Sequence, residues 1–236
     1  MLLVEKGLAP TRTKAQALIL AGKVFVAGQK VDKSGSLIAT DCVVETKAGP
    51  KFVSRGGDKL EAAILHFKIA VADKVALDVG ASTGGFTDCL LRHGAAKVYA
   101  LDVGFGQLDP NIRNDPRVVV IERTNIRHAN PTLFPEPIDI VTIDTSFISL
   151  TKVFPKIREL LTHAGGAEII ALIKPQFEVG PKIAKKGVVR DADQHQRVIT
   201  TIEKAAADLG FIIKGVIPSP LIGPKGNKEF LILLQT

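Results

Sequence analysis

The 236-residue chain contains no tryptophan, one tyrosine, one methionine and two cysteines. Cys42 and Cys89 are too few for a disulfide framework and lack the paired spacing of a metal site. His66, His93, His128, His163 and His195 also show no ligand spacing, so no metal is expected. Cys89 sits in the apolar helical pattern Phe86-Thr-Asp-Cys-Leu-Leu91 and reads as a buried thiol, which suits a reducing cytoplasm. No apolar run approaches the ~18 to 20 residues needed to span a bilayer. The longest, Ala167 to Ile173, has the length of a strand and carries a glutamate. The start, Met1-Leu-Leu-Val-Glu-Lys-Gly7, has no charged segment followed by a long apolar one, so no secretory leader is read there. Together these absences predict a cytoplasmic protein with no membrane partner. Aromatic residues make up 5% of the chain, which argues against an aromatic stacking platform for single-stranded nucleic acid.

Apolar residues, by contrast, reach 46%, enough for a large core, and the net charge of +7 favours a polyanionic partner. Thr11 is placed to cap a helix over Arg12–Ala21, with Gly22 as its stop. Lys23–Ala27 alternates as a strand, Gly28-Gln29 reads as a tight turn, and short strands are expected near Ser36–Ile38 and Cys42–Val44. The composition changes near Thr46–Pro50. Beyond it a helix is expected over Lys59–Phe67, and strands over Val75–Gly80, Lys97–Val103, Val118–Glu122, Ile138–Asp144, Ala167–Ile173, Phe211–Ile217 and Glu229–Leu234. Helices are expected over Gly84–Arg92, Ser149–Thr162 and Asp191–Leu209. This alternation predicts an α/β fold with a largely parallel sheet covered on both faces, preceded by a small module. The expected boundaries are 1–46 for the module, 47–54 for a linker and 55–236 for the large domain. Pro175 to Arg190 is the longest irregular segment, and its basic part, Pro181 to Gly187, reads as a surface loop.

Four separated segments carry the chemistry: Ser54-Arg-Gly-Gly-Asp-Lys59, Asp144-Thr-Ser-Phe147, Ile173-Lys-Pro-Gln-Phe177 and Gly226-Asn-Lys-Glu-Phe230. Lys59, Asp144, Lys174 and Glu229 lie at element ends, where two lysines and two carboxylates can hold an alcohol and move its proton. Taken singly, each is a common surface residue, and Asp144 is also a plausible helix cap, a role Ser146 can fill instead. Their joint occurrence carries the argument. Between the first two segments, Leu77-Asp-Val-Gly-Ala-Ser-Thr-Gly-Gly-Phe-Thr87 reads as strand, glycine turn and helix start, open to close approach by a ligand. It is neither a dinucleotide fingerprint nor a phosphate loop. Asp102, ending the next strand, can accept both hydroxyls of a ribose. A ribose acid without a phosphate-binding lysine suits S-adenosylmethionine. The expected cofactor residues are Asp78, Gly80, Ser82, Thr83, Gly84, Gly85, Asp102, Asn125 and Phe147. RNA contacts are expected from Arg12, Lys14, Lys23, Lys30, Arg55, Lys182, Lys185, Lys186 and Arg190, acting on phosphates.

These segments, with Leu101-Asp-Val-Gly-Phe-Gly-Gln-Leu108 and Gly223-Pro-Lys-Gly-Asn-Lys-Glu-Phe230, resemble the TlyA family over essentially the whole chain. Leu18 to Gln29 is similar to the S4 signature of an RNA-binding module. The resemblance implies a small α+β S4-like module joined to an α/β, Rossmann-like class I methyltransferase domain with a mostly parallel seven-stranded sheet, related to the FtsJ/RrmJ ribose methylases. It also implies transfer of a methyl group to a ribosomal-RNA ribose 2′-hydroxyl, a cytidine in assembled subunits, with the large subunit preferred. The Lys-Asp-Lys-Glu tetrad of that lineage falls on Lys59, Asp144, Lys174 and Glu229, and Lys174 is the expected general base. The start at Met1 lacks the usual arginine-bearing lead-in, so a shortened first helix is expected. A membrane-lytic haemolysin, the name often attached to this family, and a non-catalytic RNA-binding protein are the competing readings.

Overall fold

The computed structural model describes residues 1–47, 50–161, 165–180 and 187–236. The chain divides into two compact units, Met1–Lys51 and Phe52–Thr236.

The first unit begins with a single helical turn, α1 (Leu2–Glu5), followed by α2 (Arg12–Leu20). Thr11 caps α2 by accepting from the Lys14 amide at 3.2 Å, as the sequence suggests. Three short strands follow: β1 (Val24–Val26), β2 (Gln29–Val31) and β3 (Val44–Thr46). They form an antiparallel sheet in the order β2-β1-β3. The tight turn falls on Ala27 and Gly28, both with positive φ (47° and 78°), a pattern whose twist matches a two-residue hairpin. Ser36–Ile38 is not a strand: it pairs with neither outer edge of the sheet, and Leu37 stands fully exposed. The small core is Leu3, Ala9, Ala15 and Val24.

In the second unit α3 spans Gly56–Phe67, three residues earlier than expected, because Gly56, Gly57 and Asp58 already wind into its first turn. Of the stretch expected as a linker, Phe52 is 1% exposed and packs in the core of this unit, and the Val53 amide donates to Asp88 Oδ2 at 2.9 Å. The remaining elements are β4 (Val75–Val79), α4 (Gly85–Arg92), β5 (Lys97–Leu101), α5 (Pro110–Arg113), β6 (Val118–Ile121), β7 (Ile140–Ile143), α6 (Phe154–Leu160), β8 (Glu168–Ile173), α7 (Pro175–Glu178), α8 (Ala192–Asp208), β9 (Ile212–Pro218) and β10 (Phe230–Gln235). The expected helix from Ser149 appears as a 3₁₀ turn at Leu150–Lys152 and then α6, with Thr162 outside the described residues.

The seven strands are ordered β6-β5-β4-β7-β8-β10-β9. Pairings from β6 through β8 are parallel, and β10 runs antiparallel to both neighbours. The central strands are buried on both faces, so alternate residues feed two cores. Leu77, Val79, Val141, Ile143, Ile169 and Ala171 face one side, with Phe154 and Ile157 of α6 and Val198 and Ile202 of α8. Ala76, Ala100, Ile140, Ile170 and Leu172 face the other, with Leu60 and Ile64 of α3 and Phe86 and Leu90 of α4. The parallel core strands share one direction, so the turns after β4, β5, β7 and β8 gather at one edge, where open α/β sheets bind ligands.

Candidate active site

At that edge Gly80 turns the chain after β4 with φ +89°, and its amide donates to the Leu101 carbonyl at 2.8 Å. A Cβ on Gly80 would stand 2.7 Å from the Asp144 carbonyl oxygen, so glycine lets the ends of β4 and β7 close up. Gly85 does the same between helices: a Cβ there would lie 2.1 Å from Ser54 Oγ, at the start of α3. The glycine-rich turn therefore brings both neighbouring motif segments against itself.

Two adjoining cavities result. The larger, about 910 Å³, is lined by Gly80, Ser82, Asp102, Asn125, Asp144 and Phe147, and also by Val103, Gln107, Ile126 and Phe177. The smaller, about 280 Å³, is lined by Arg55, Lys59, Ser82, Thr83, Gly85, Asp144, Lys174, Pro224 and Glu229. Gly80, Ser82, Asp144 and Ser146 form a common wall.

Asp102 is held rigidly in the larger cleft. Its Oδ2 accepts from the Ser82 amide at 2.8 Å and its Oδ1 from the Gly104 amide at 2.7 Å, leaving the second lone pair of each oxygen for a ligand. Val103 and Ile126 flank it with apolar surface. Phe147 is 90% exposed on the rim, takes φ +63°, unusual for a bulky side chain, and lies 5.0 Å from the Phe177 ring.

In the smaller cavity the four charged residues meet as two pairs. Lys59 Nζ donates to Glu229 Oε2 at 2.6 Å. Lys174 Nζ lies 2.6 Å from Asp144 Oδ1, an ion-pair approach whose angle falls outside hydrogen-bond geometry, and its hydrogen bond goes to Ser146 Oγ at 3.0 Å. The cap after β7 is neither Asp144 nor Ser146: Ser149 Oγ accepts from the Thr151 amide. Among the described residues, the buried side-chain oxygens without a hydrogen-bond partner are Asp144 Oδ1, Thr145 Oγ1, Gln176 Oε1 and Glu229 Oε1. All four belong to the motif segments, the pattern of a site shaped for a polar ligand.

Two expected cofactor residues stand back from the clefts. Asp78 is fully buried beneath the turn, accepting from Thr87 Oγ1 at 2.7 Å and Thr142 Oγ1 at 2.9 Å. Burial pushes its carboxyl up to about 7, with the nearby Asp144 charge adding to the rise and both hydroxyls opposing it. Gly84 is buried as well: with φ +92° it starts α4, and a Cβ there would lie 2.9 Å from Leu108 Cδ1. Both shape the turn from behind. Arg12, Lys14, Lys30, Arg55 and Arg190 are exposed and Lys23 is half-buried, whereas Lys182, Lys185 and Lys186 lie outside the described residues. The reading from sequence missed Arg127 and Lys152, two cations lining the larger cleft, along with Val103, Gln107 and Ile126. Val103 directly follows Asp102, Gln107 lies five residues on in the same Leu101–Leu108 segment, and Ile126 follows Asn125, so their proximity to flagged residues was the available signal.

The FtsJ-like methyltransferase family matches residues 52–236, and the S4 domain matches residues 1–41. The chain belongs to the FtsJ-like methyltransferase family. Within it, the chain is 45% identical to the 16S/23S rRNA (cytidine-2′-O)-methyltransferase TlyA of Mycobacterium tuberculosis, over 99% of this chain and 88% of that protein. A solved structure of a hemolysin-named protein from Streptococcus thermophilus superposes with a TM-score of 0.78 at 41% identity, over 100% of this chain and 86% of that one. An S-adenosylmethionine-dependent methyltransferase from Mesorhizobium loti shares the fold at 14% identity, with a TM-score of 0.55, over 74% of this chain and 96% of that one. The hemolysin name runs alongside the methyltransferase name within these FtsJ-like relatives. No helix among the described residues is long and apolar enough to cross a membrane.

Proposed function

We propose that the chain is an S-adenosylmethionine-dependent ribosomal-RNA methyltransferase acting on a cytidine ribose 2′-hydroxyl, with the large ribosomal subunit as the preferred acceptor. The observation that carries this reading is the shared wall: a cleft shaped for an adenosyl group adjoins a recess holding two lysine–carboxylate pairs. The residues fit the cofactor. Asp102 would accept the ribose hydroxyls, and its charge disfavours a phosphate in the same place. Val103 and Ile126 offer apolar walls to a flat base, and the Gly80–Ser82 turn permits close backbone approach. When bound there, S-adenosylmethionine supplies an electrophilic methyl group already activated by positive sulfur.

The chain's own residues then have two tasks, to align the acceptor hydroxyl and to remove its proton. Lys174 is the group placed to take that proton, at Nζ. Ser146 and Asp144 fix where Nζ stands. Lys59, locked to Glu229, holds a second positive charge beside the acceptor oxygen. Arg55, exposed at the mouth of the recess, and the basic residues Arg12, Lys14, Lys23 and Lys30 of the S4 unit supply phosphate contacts. The same partner accounts for the basic balance of the chain, and its proposed location is the cytoplasm.

The test is incubation of purified small and large ribosomal subunits with methyl-labelled S-adenosylmethionine. Label in a 2′-O-methylcytidine of the large subunit is the expected result. Label in the small subunit alone would reverse the subunit preference, and no label in either subunit would reject the reading.

A further inference from the structure

Glu229 reaches Lys59 from the loop between β9 and β10, and the hydrogen bonds of that loop are concentrated on one side chain. The loop ends are closed by the Ser219 amide donating to the Glu229 carbonyl at 2.9 Å. Inside the loop the Gly223 amide donates to the Asn227 carbonyl at 2.8 Å. Asn227 is 2% exposed, and its side chain is fully engaged with backbone. Nδ2 donates to the Gly187 carbonyl at 2.9 Å and the Pro224 carbonyl at 3.0 Å, while Oδ1 accepts from the Val189 amide at 3.1 Å. The Val189 carbonyl in turn meets Nε2 of the buried His195 at 3.0 Å, and that ring stands edge-on to Phe230 with centroids 5.6 Å apart. Residues Gly187 to Val189 are thus tied to Asn227 directly and to Phe230 through His195, and Glu229 sits between those two anchors.

Gly223 adds a steric element. Its φ of −71° is open to any residue, so the need for glycine here is one of space. A Cβ would stand 2.1 Å from Glu229 Oε1 and 2.4 Å from its carboxyl carbon. Any side chain at position 223 would displace the carboxylate that Lys59 grips. Asn227 lines neither the adenosyl-shaped cleft nor the lysine recess, so its influence on chemistry has to pass through Glu229.

We infer that Asn227 is a positioning residue for methyl transfer. Its amide locks Gly187–Val189 to the Glu229 loop and, together with the bare Cα of Gly223, sets the Glu229 carboxylate against Lys59. This assignment rests on the methyltransferase reading and extends it, since it makes the geometry of the Lys59–Glu229 pair depend on a segment some forty residues earlier in the chain. A displacement of about 1 Å at a reacting centre is enough to cost ~100-fold in rate.

The test uses the full chain with Asn227→Ala and, separately, Gly223→Ala. Three quantities are measured: S-adenosylmethionine affinity by calorimetry, single-turnover methylation of ribosomal subunits across pH at saturating subunit, and the NMR signal of Lys59 in protein labelled at lysine Cε. The Lys59 signal is assigned by its loss in Lys59→Arg. The expected outcome is cofactor affinity within about twofold of wild type and a rate lower by ~10- to 100-fold. The midpoint of the rate–pH profile should move, and the Lys59 signal should shift in both variants while that of Lys174 stays in place. A folded Asn227→Ala with an unmoved Lys59 signal and an unmoved pH profile overturns the inference, whatever its rate, because a purely structural role predicts that result. If Asn227→Ala does not fold, Gly223→Ala decides alone, and a Lys59 signal at its wild-type position there rejects the inference. The NMR readout needs neither RNA nor cofactor. Failure of the wild type to methylate any subunit would therefore strike the functional reading, while the Lys59 signal still decides this one.

Discussion

Lys59 and Glu229 meet at 2.6 Å with side chains 11% and 0% exposed, joining the second turn of α3 to the start of β10. Lys174 and Asp144 meet at the same distance with 11% and 22% exposure, at the carboxyl ends of two adjacent parallel strands. The first pair is a direct hydrogen-bonded contact across 170 residues of sequence, whereas in the second the ammonium turns its hydrogen bond to Ser146. The Lys174–Asp144 pair also reaches both cavities, because Asp144 lies in their common wall. Two pairs of identical chemistry thus suit different tasks. In the proposed reaction the enclosed one would fix geometry and a charge, and the more open one would meet the acceptor and exchange a proton.

The largest expected effect breaks the enclosed pair. Lys59→Ala leaves a buried carboxylate without its cation, which should cost about 3–5 kcal/mol of unfolding free energy. Lys59→Met combined with Glu229→Leu should recover most of that stability while remaining inactive. Lys174→Ala should cost far less stability. Denaturant unfolding of these variants checks the contrast, and equal losses for Lys59→Ala and Lys174→Ala would erase it.

Rate is where the second pair should dominate. Lys174→Ala should lower single-turnover methyl transfer by at least ~100-fold, the scale of general-base loss, with cofactor affinity retained. Lys174→Arg should be nearly as slow, since a guanidinium keeps its proton. An active arginine variant would pass the role of base to Lys59 or to a water held by Asp144.

Asp78 sharpens the comparison from below, since it lies behind Asp144 and feels its charge. Its carboxyl is raised in the folded state from 3.8 to about 7, so folding favours the protonated form. The stability this confers is complete below about pH 4 and is lost as pH rises through about 7. Asp78→Asn keeps an amide that can pair with both Thr87 and Thr142, and it removes that loss. Relative to the variant, the wild type should lose roughly 2–3 kcal/mol between pH 5 and pH 8. Parallel pH–stability curves for the two proteins would show that Asp78 is not the titrating group.

The smallest effect leaves both pairs intact. Arg12→Glu with Lys14→Glu should weaken subunit binding and flatten its salt dependence by about two units of slope, with cofactor affinity unchanged. An unaltered salt slope would remove these two residues from the RNA contact.

Much of this architecture was legible before any coordinates. Strands such as Ile140–Ile143 and Glu168–Ile173 announce themselves as apolar runs because both their faces are buried. The four charged positions were legible because each follows or begins such a run. Short elements were not. Helix α7 arises in what reads as an irregular stretch after Lys174, and the strand expected at Ser36–Ile38 does not form, its Leu37 standing fully exposed with no core to bury it. Asp78 read as a cofactor residue because it sits inside the glycine-turn motif. Its burial depends on Thr142, which is 64 residues away and invisible to local pattern.

By itself the sequence determined the element types, the glycine turn, the set of four charged residues and the basic S4-like start, because all of these depend on local residue chemistry and periodicity. Only the tertiary structure decided which lysine joins which carboxylate. That choice follows from strand order: β8 lies beside β7, bringing Lys174 to Asp144, while the reversed β10 starts where α3 presents Lys59 to Glu229. It also decided that Asn227, unremarkable in a run of Gly-Asn-Lys-Glu, is a buried hub, since its partners at Gly187 and Val189 become neighbours only when the chain folds.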